Sequence, residues 1–514
     1  MPLVAPWSKV TCPFCFEQFH LSRAKWRQVG PNAQTAPDEA VGKYFGLKKA
    51  PVLGKLSHSR DGFFSVGRTG EMERKVCPFC HLELPASLAY GEASGEHDGA
   101  GATEPYMAWT VSCLLDAQAP TSQLHFDNWN LGSRSYLLVI SDRDQDVQRF
   151  NAQSMAEWQG HSAFFNSGIL HLELWVDPAD SGVFVTTGAV TFGEWVGGVA
   201  GTESICDASD DRVDSSDGRV ARYNLGGCTH WMAANGAVLT AGHCTDFDPD
   251  DSGPGLPDGV IDFSGNIQIN PPKSFSDGTP RAAPADQQFP MQPATARFRF
   301  DGEGQGLGKD WCVYRVGRNS NTGLTPHLAG GFFRLTDIAP ANGTTMRVTG
   351  YGSDSGIDNF SNQTDTGTFE GIHVSGANIW LSHRVDAEGG NSGSPVFINS
   401  NSFAEGIHTN AGCTSSGGSN SGTSFQVNAL ETALRDFVST AAQFVDAAGY
   451  PAGTSRNGRI FGPWTSVTNG ATNVVSGGTV CIVTGTYIET GTFGTGNKAM
   501  MWTAPVGNVV IGGN

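Results

Sequence analysis

Short runs that alternate apolar and polar side chains, each closed by turn residues, recur along most of this chain and restrict it to a β-rich fold. Residues 123–126, 136–140, 169–176 and 182–190 all read this way and are bounded by Asp, Asn, Gly or Ser, the pattern of half-buried strands joined by turns. Composition points the same way: 67 Gly and 26 Pro among 514 residues, with many Thr, Val, Ser and Asn, favour turns and strands over long helices. A hydrophobic content of 39% is enough to fill ordinary cores although only 16% of residues are charged. The length exceeds what one compact core supports, so about three domains are expected.

The formal net charge is −18, and a phosphate backbone would be repelled by most of such a surface, which argues against nucleic acid as a partner. The charge is uneven. Residues 1–81 hold 12 Lys and Arg against 6 Asp and Glu, a net of +6, which leaves −24 for the remainder. No run of 18 apolar residues is present, so no membrane-spanning helix is expected, and residues 1–10 lack the basic stretch and apolar core of a secretory signal peptide. The cysteines divide: Cys12-Pro-Phe-Cys15 and Cys77-Pro-Phe-Cys80 are metal-ligand pairs suited to a reducing compartment, whereas Cys228 and Cys244 suit an oxidising one.

Three segments carry the parts of a nucleophilic hydrolase. A hydroxyl attacks a peptide carbonyl at neutral pH only with an imidazole to take its proton, a carboxylate to orient that imidazole, and donors for the oxyanion. In Ala237-Val-Leu-Thr-Ala-Gly-His243-Cys244, an apolar strand runs into a tight turn and presents His243 at its end. In Gly389-Gly-Asn391-Ser392-Gly-Ser-Pro395-Val396, glycines allow a sharp turn that can aim the amides of Gly390 and Ser392 at a developing oxyanion, while Pro395 feeds the next strand. The Gly- and Ser-rich stretch 417–422 imitates this motif but lacks the Pro and the strand. Lys309-Asp310-Trp-Cys-Val-Tyr-Arg-Val316 places an acid at the head of an alternating strand, with Asp301 as a competitor.

Together these segments resemble the motifs of the trypsin/chymotrypsin-like serine endopeptidases, in the same His, Asp, Ser order. The resemblance covers about half of the chain. It implies a double β-barrel, a catalytic triad of His243, Asp310 and Ser392, an oxyanion hole from Gly390 and Ser392, and a disulfide between Cys228 and Cys244, 16 positions apart, closing the histidine loop. Asn391 departs from the trypsin pattern, since a neutral side chain cannot pair with the new α-amine that activates a zymogen; in this the chain is similar to the bacterial glutamyl-endopeptidase branch. Specificity is left open between two readings. Asp386 stands where trypsin keeps the acid that binds Arg or Lys, and Gly406-Ile-His408-Thr409 resembles the segment by which glutamyl endopeptidases bind Glu. Asp246, Asp248, Asp250 and Asp251 have the composition of a calcium loop without its glycine and distal Glu, and are read as a solvated loop.

The expected organisation is mainly β: a zinc-ribbon-like segment (1–89), a linker or fusion seam (90–104), a β-sandwich accessory module (105–197), the protease domain (198–445) and a β-helix-like tail that stops early (446–514). A helix over 428–442 is predicted from Leu430, Leu434, Phe437 and Val438 at helical spacing, and tail strands over 479–484, 499–503 and 506–511. Cys12, Cys15, Cys77 and Cys80 supply four thiolates to one structural zinc; the segment resembles zinc ribbons that precede bacterial P-loop NTPases, but no P-loop follows it. Catalysis by the triad requires no cofactor. The leading reading is a secreted bacterial endopeptidase acting on protein or peptide substrates through an acyl-enzyme. The alternative is a zinc-ribbon interaction protein with a non-catalytic protease-like scaffold; a third possibility joins residues 1–95 from an unrelated gene. Natural substrate, maturation site, oligomeric state and the pairing of the other cysteines are not legible.

Overall fold

The computed structural model describes residues 92–115, 119–193, 204–224, 227–245, 265–301, 307–489 and 498–512, and the backbone of short strands between residues 9 and 76. Cys12, Cys15, Cys77 and Cys80, and the acidic loop at 246–251, lie outside the described residues. The chain divides into two compact units. One comprises 1–196 with 281–288 and 319–323; the other comprises 197–280, 289–318 and 324–514.

The first unit is built on two antiparallel sheets. Tyr106–Leu114, Ile169–Val176, Tyr136–Ser141 and Val147–Phe150 form one in that order, and Phe184–Gly193 pairs with Thr121–Asn130 in the other. Alternation sets which face goes inward: along Tyr136–Ser141 every second residue is buried, so Leu137 and Val139 join Leu124, Phe126, Phe150, Leu170, Leu172 and Val185 in one core. Ala93 and His97 bridge to Thr186 and Val183, so the Gly- and acid-rich stretch that reads as a linker is attached to a sheet edge here. A short helix, Ala152–Glu157, is fixed by a reciprocal capping box between Asn151 and Ser154.

The second unit contains two closed six-stranded β-barrels. The first runs Val220–Tyr223, Thr229–Met232, Val238–Thr240, Trp311–Val316, Gln288–Arg299, Asn266–Gln268 and back to the start. In the second, Gln363–Ser375, Thr345–Gly350, Pro395–Ile398, Phe403–Asn410, Asn420–Ser424 and Asn378–His383 follow one another, and the last pairs with the first. Closure leaves neither barrel an open edge. Trp231, Phe333, Tyr351, Phe397 and Phe425, drawn from both barrels and their connections, are buried in one continuous cluster, the kind of aromatic burial that dominates core energetics. Among the described residues, the disulfides Cys228–Cys244 and Cys206–Cys413 close the unit, Cys312 and Cys481 are buried free thiols within it, and Cys113 is a buried free thiol of the first unit.

The predicted helix is present but shorter: it spans Asn428–Val438 and buries Leu430, Ala433, Leu434 and Phe437. Ser439 turns to extended backbone, and Ala442–Val445 becomes a strand instead of a further helical turn. The cause is tertiary pairing. Ala442–Val445, Thr479–Ile482 and Met501–Thr503 form a parallel sheet, and Gly485–Tyr487 pairs in parallel with Val509–Ile511, so backbone pairing outweighs the local preference of the alanines for helix.

Candidate active site

His243 sits in a single 3-10 turn, Gly242–Cys244, directly after the strand Val238–Thr240. That strand pairs Thr240 with Cys312, which lays the end of the histidine strand beside the start of Trp311–Val316. The turn must lie close to the neighbouring backbone. A side chain on Gly242 would place its Cβ 2.1 Å from the carbonyl oxygen of Arg299 and 3.0 Å from the amide nitrogen of Trp311, so only glycine is accommodated before the histidine. Asp310 then clamps the histidine at two points: Oδ1 accepts the His243 backbone N–H at 2.9 Å and Oδ2 accepts the ring Nδ1–H at 2.7 Å. Because Nδ1–H is committed to the carboxylate, the neutral ring carries its lone pair on Nε2. The carboxylate is buried, with 3% side-chain exposure against 28% for the imidazole, so the carboxylate sits out of water while the imidazole keeps an accessible edge. From the second barrel, the Thr423 hydroxyl donates to the Asp310 carbonyl at 2.7 Å and anchors the residue's backbone.

Ser392 is carried by a turn immediately before the strand Pro395–Ile398. The turn is pinned from both barrels. Thr229 N–H donates to the Ser392 carbonyl at 2.9 Å and the Thr229 hydroxyl to the Gly390 carbonyl at 2.9 Å, while Gly393 and His408 exchange backbone contacts across Ser394, with Gly393 N–H on the His408 carbonyl and His408 N–H on the Ser394 carbonyl, both at 2.8 Å. Cys228 immediately precedes Thr229 and Cys244 follows His243, so their disulfide ties the support of the serine turn to the histidine turn. The Cys244 sulfur lies 3.9 Å from the Ser392 carbonyl oxygen. No hydrogen bond joins the Ser392 hydroxyl to His243 in this structure, and among the described residues the amides of Gly390 and Ser392 have no acceptor. Gly390 adopts φ +102°, and a Cβ there would stand 2.5 Å from the Tyr351 carbonyl, so the glycine is required to hold that amide where it is.

The two specificity candidates have different surroundings. The carboxylate of Asp386 is buried and accepts the Cys206 N–H at 2.7 Å; it is engaged by the segment that enters the first barrel. His408 is buried beside the serine turn, and its Nδ1 lies 3.3 Å from Nε2 of His383. His383 Nδ1 accepts the Val385 N–H at 3.2 Å, which places the His383 proton on Nε2. That proton is donated to His408 Nδ1 and leaves the His408 proton on Nε2, for which the described residues offer no acceptor. Burial, then the nearby charge of His243, pushes His408 down to about 4, and burial holds His383 well below the ordinary histidine range. Both rings are neutral at pH 7.

Several supporting residues carry no signal in the sequence. Arg212 donates to the Asn391 side-chain oxygen at 3.4 Å and to the Ser353 carbonyl at 3.0 Å, and pairs with Asp210, so the residue before Ser392 is held by a side chain of the entering segment. Thr229, Thr423, His383 and Cys413 act from positions up to about two hundred residues away in the chain.

Neither a protein-family model nor a curated protein sequence matches the chain. Among solved structures, it is similar to a Glu endopeptidase determined in complex with MPD, at 18% identity and a TM-score of 0.33 over 46% of this chain and 99% of that one. Protease Anisep from Arthrobacter nicotinovorans matches at 18% identity and a TM-score of 0.30, covering 42% of this chain and 93% of its own. A thermostable serine protease, AL20, from an extremophilic microorganism matches at 14% identity and a TM-score of 0.30, covering 41% and 92%.

Proposed function

We propose that this chain is a serine endopeptidase in which Ser392 attacks the peptide carbonyl, His243 takes and returns the proton, and Asp310 orients the imidazole and stabilises its charged form. The observation that carries this reading is the two-point hold of Asp310 on His243, with the Ser392 turn fixed against the same histidine turn. Apposition of the serine hydroxyl and Nε2 tightens when substrate fills the cleft, as catalytic hydrogen bonds commonly do. The attack forms a tetrahedral oxyanion, received by the free amides of Gly390 and Ser392, and collapses to an acyl-enzyme that water then hydrolyses. Protein groups supply every step.

The finer reading concerns the substrate. His408, with its Nε2–H free and its ring backed by His383, favours a side chain that accepts a hydrogen bond and carries negative charge, hence Glu ahead of the scissile bond. Engagement of Asp386 by the Cys206 amide argues against a basic residue there. Two disulfides and an acidic surface fit an extracellular enzyme, and among the described residues no helix is long and apolar enough to cross a membrane. A structural zinc on Cys12, Cys15, Cys77 and Cys80 belongs to the proposal as a part separate from catalysis.

A fluorophosphonate probe followed by peptide mapping tests the assignment. Labelling is expected on Ser392 in the intact chain and absent in Ser392→Ala, which should fold normally and lose peptide turnover. Undiminished turnover by Ser392→Ala, or a label on another serine, overturns it.

A further inference from the structure

A second group of side chains, apart from the triad, is collected beside the disulfide Cys206–Cys413. Asp207 and Asp211 stand exposed on the irregular segment that follows Cys206, and Asp386, 3% exposed, rises beneath them from the second barrel. One carboxylate oxygen of each lies within 4.8 Å of the other two. A fourth acid borders the group: Asp365 Oδ2 accepts the Asp386 N–H at 2.8 Å, and burial, with Asp211 and Asp386 close by, pushes its carboxyl up to about 6.

Positive charge does not balance these acids. Among the described residues, Asp207, Asp211 and Asp386 form no ion pair. The neighbouring Arg212 is taken up by Asp210 and Asp354, and Arg384 donates to the carbonyls of Gly418 and Cys206. Independently, Asp386 is left incomplete. Its Oδ1 accepts the Cys206 N–H and the Asp211 N–H approaches the carboxylate, but Oδ2 is sealed from solvent without a hydrogen bond of normal geometry. A buried carboxylate oxygen without a donor is among the costlier defects in a folded protein, and three mutually repelling carboxylates add to it.

We propose that Asp207, Asp211 and Asp386 bind one calcium ion, which supplies the missing partner of the buried carboxylate and neutralises the cluster. Oxygens about 2.4 Å from a common ion are at most about 4.8 Å apart pairwise, a limit these three carboxylates meet, so small rotations of the two exposed side chains bring all three onto one centre. An all-oxygen, all-carboxylate donor set selects a hard divalent cation. The irregular backbone at residues 205–212 suits calcium, which accepts uneven coordination and completes its shell with water, better than magnesium, which demands a near-ideal octahedron. The ion would fasten the entering segment onto the second barrel beside the disulfide. This site is independent of the peptidase reading and stands or falls without it.

Calorimetric titration of the full chain with calcium chloride, after treatment with a chelator, tests the proposal together with thermal unfolding. The wild type is expected to bind one equivalent saturably and to melt higher with calcium. Asp207→Asn and Asp211→Asn, both at exposed positions that folding tolerates, should each weaken binding at least about tenfold, and the double variant should lose both the binding and the calcium-dependent rise in Tm. Without calcium, the double variant should melt no lower than the wild type, because a repulsion has been removed. Absence of saturable binding in the wild type overturns the proposal. So does calcium binding that survives intact in the double variant, which would assign the ion to other acids such as those at 246–251.

Discussion

At the scale of single residues, the site depends on where protons are held. Asp310 commits His243 Nδ1, and the chain from Val385 through His383 to His408 commits a second imidazole in the same manner, with backbone N–H rather than carboxylate at its far end. The difference matters. A carboxylate stabilises a charged imidazolium, whereas an amide donor holds a neutral ring in one tautomer, so on the proposed mechanism His243 is the ring suited to take a proton and His408 the ring suited to present a donor. From this we expect His408→Ala to lower kcat/KM for substrates with Glu before the scissile bond by about 10–100-fold, the worth of one hydrogen bond to a charged group. A matched substrate with Ala at that position should change little, which steady-state assays on paired peptides would measure. An equal loss on both peptides would assign His408 to general support of the serine turn.

Among elements, the turns do more than the strands to set the geometry. The strands deliver His243, Asp310 and Ser392 to one region, but the final placement comes from three glycines that let backbones approach each other. Gly393 is the sharpest case. At φ +90°, a Cβ there would lie 2.2 Å from the Thr229 carbonyl and 2.3 Å from the Thr240 hydroxyl. Gly393→Ala is expected to cost about 1–3 kcal/mol in backbone strain alone, and to displace the serine turn from the histidine strand. Its activity should fall by more than about tenfold while the circular dichroism of the barrels persists; a fully active variant would show that the turn has room to relax. The glycines were legible as turn formers, and Gly390 was assigned to the oxyanion amides on that basis. Their packing partners, Thr229 and Thr240, were not, because nothing in a local window indicates which distant carbonyl a turn will meet.

For the molecule as a whole, stability within the second unit is spread across an aromatic cluster that joins the barrels, a C-terminal helix, and two disulfides of very different span. Cys228–Cys244 separates residues by 16 positions, Cys206–Cys413 by 207. On the chain-entropy account the longer loop restricts the unfolded state more, so replacing Cys206 and Cys413 together with alanine should reduce the unfolding free energy by about 2–5 kcal/mol. Replacing Cys228 and Cys244 should affect activity more than stability. Urea denaturation with parallel turnover assays would distinguish them, and equal losses in both properties for both pairs would contradict the separation of roles.

The Cys228–Cys244 bridge was anticipated from the family resemblance of the histidine loop, and the β-rich character could be read from the amino acids because it is local, a matter of strand period and turn composition. The pairing of Cys206 with Cys413, the Arg212 contact to Asn391, the His383 relay and the acidic group around Asp386 could not. They join residues that are neighbours only after both barrels have closed, and a pattern along one dimension does not encode which segments a closed sheet will bring together. The helix end at Val438 shows the same limit, since it was set by strands from the tail pairing with residues that would otherwise have continued the helix.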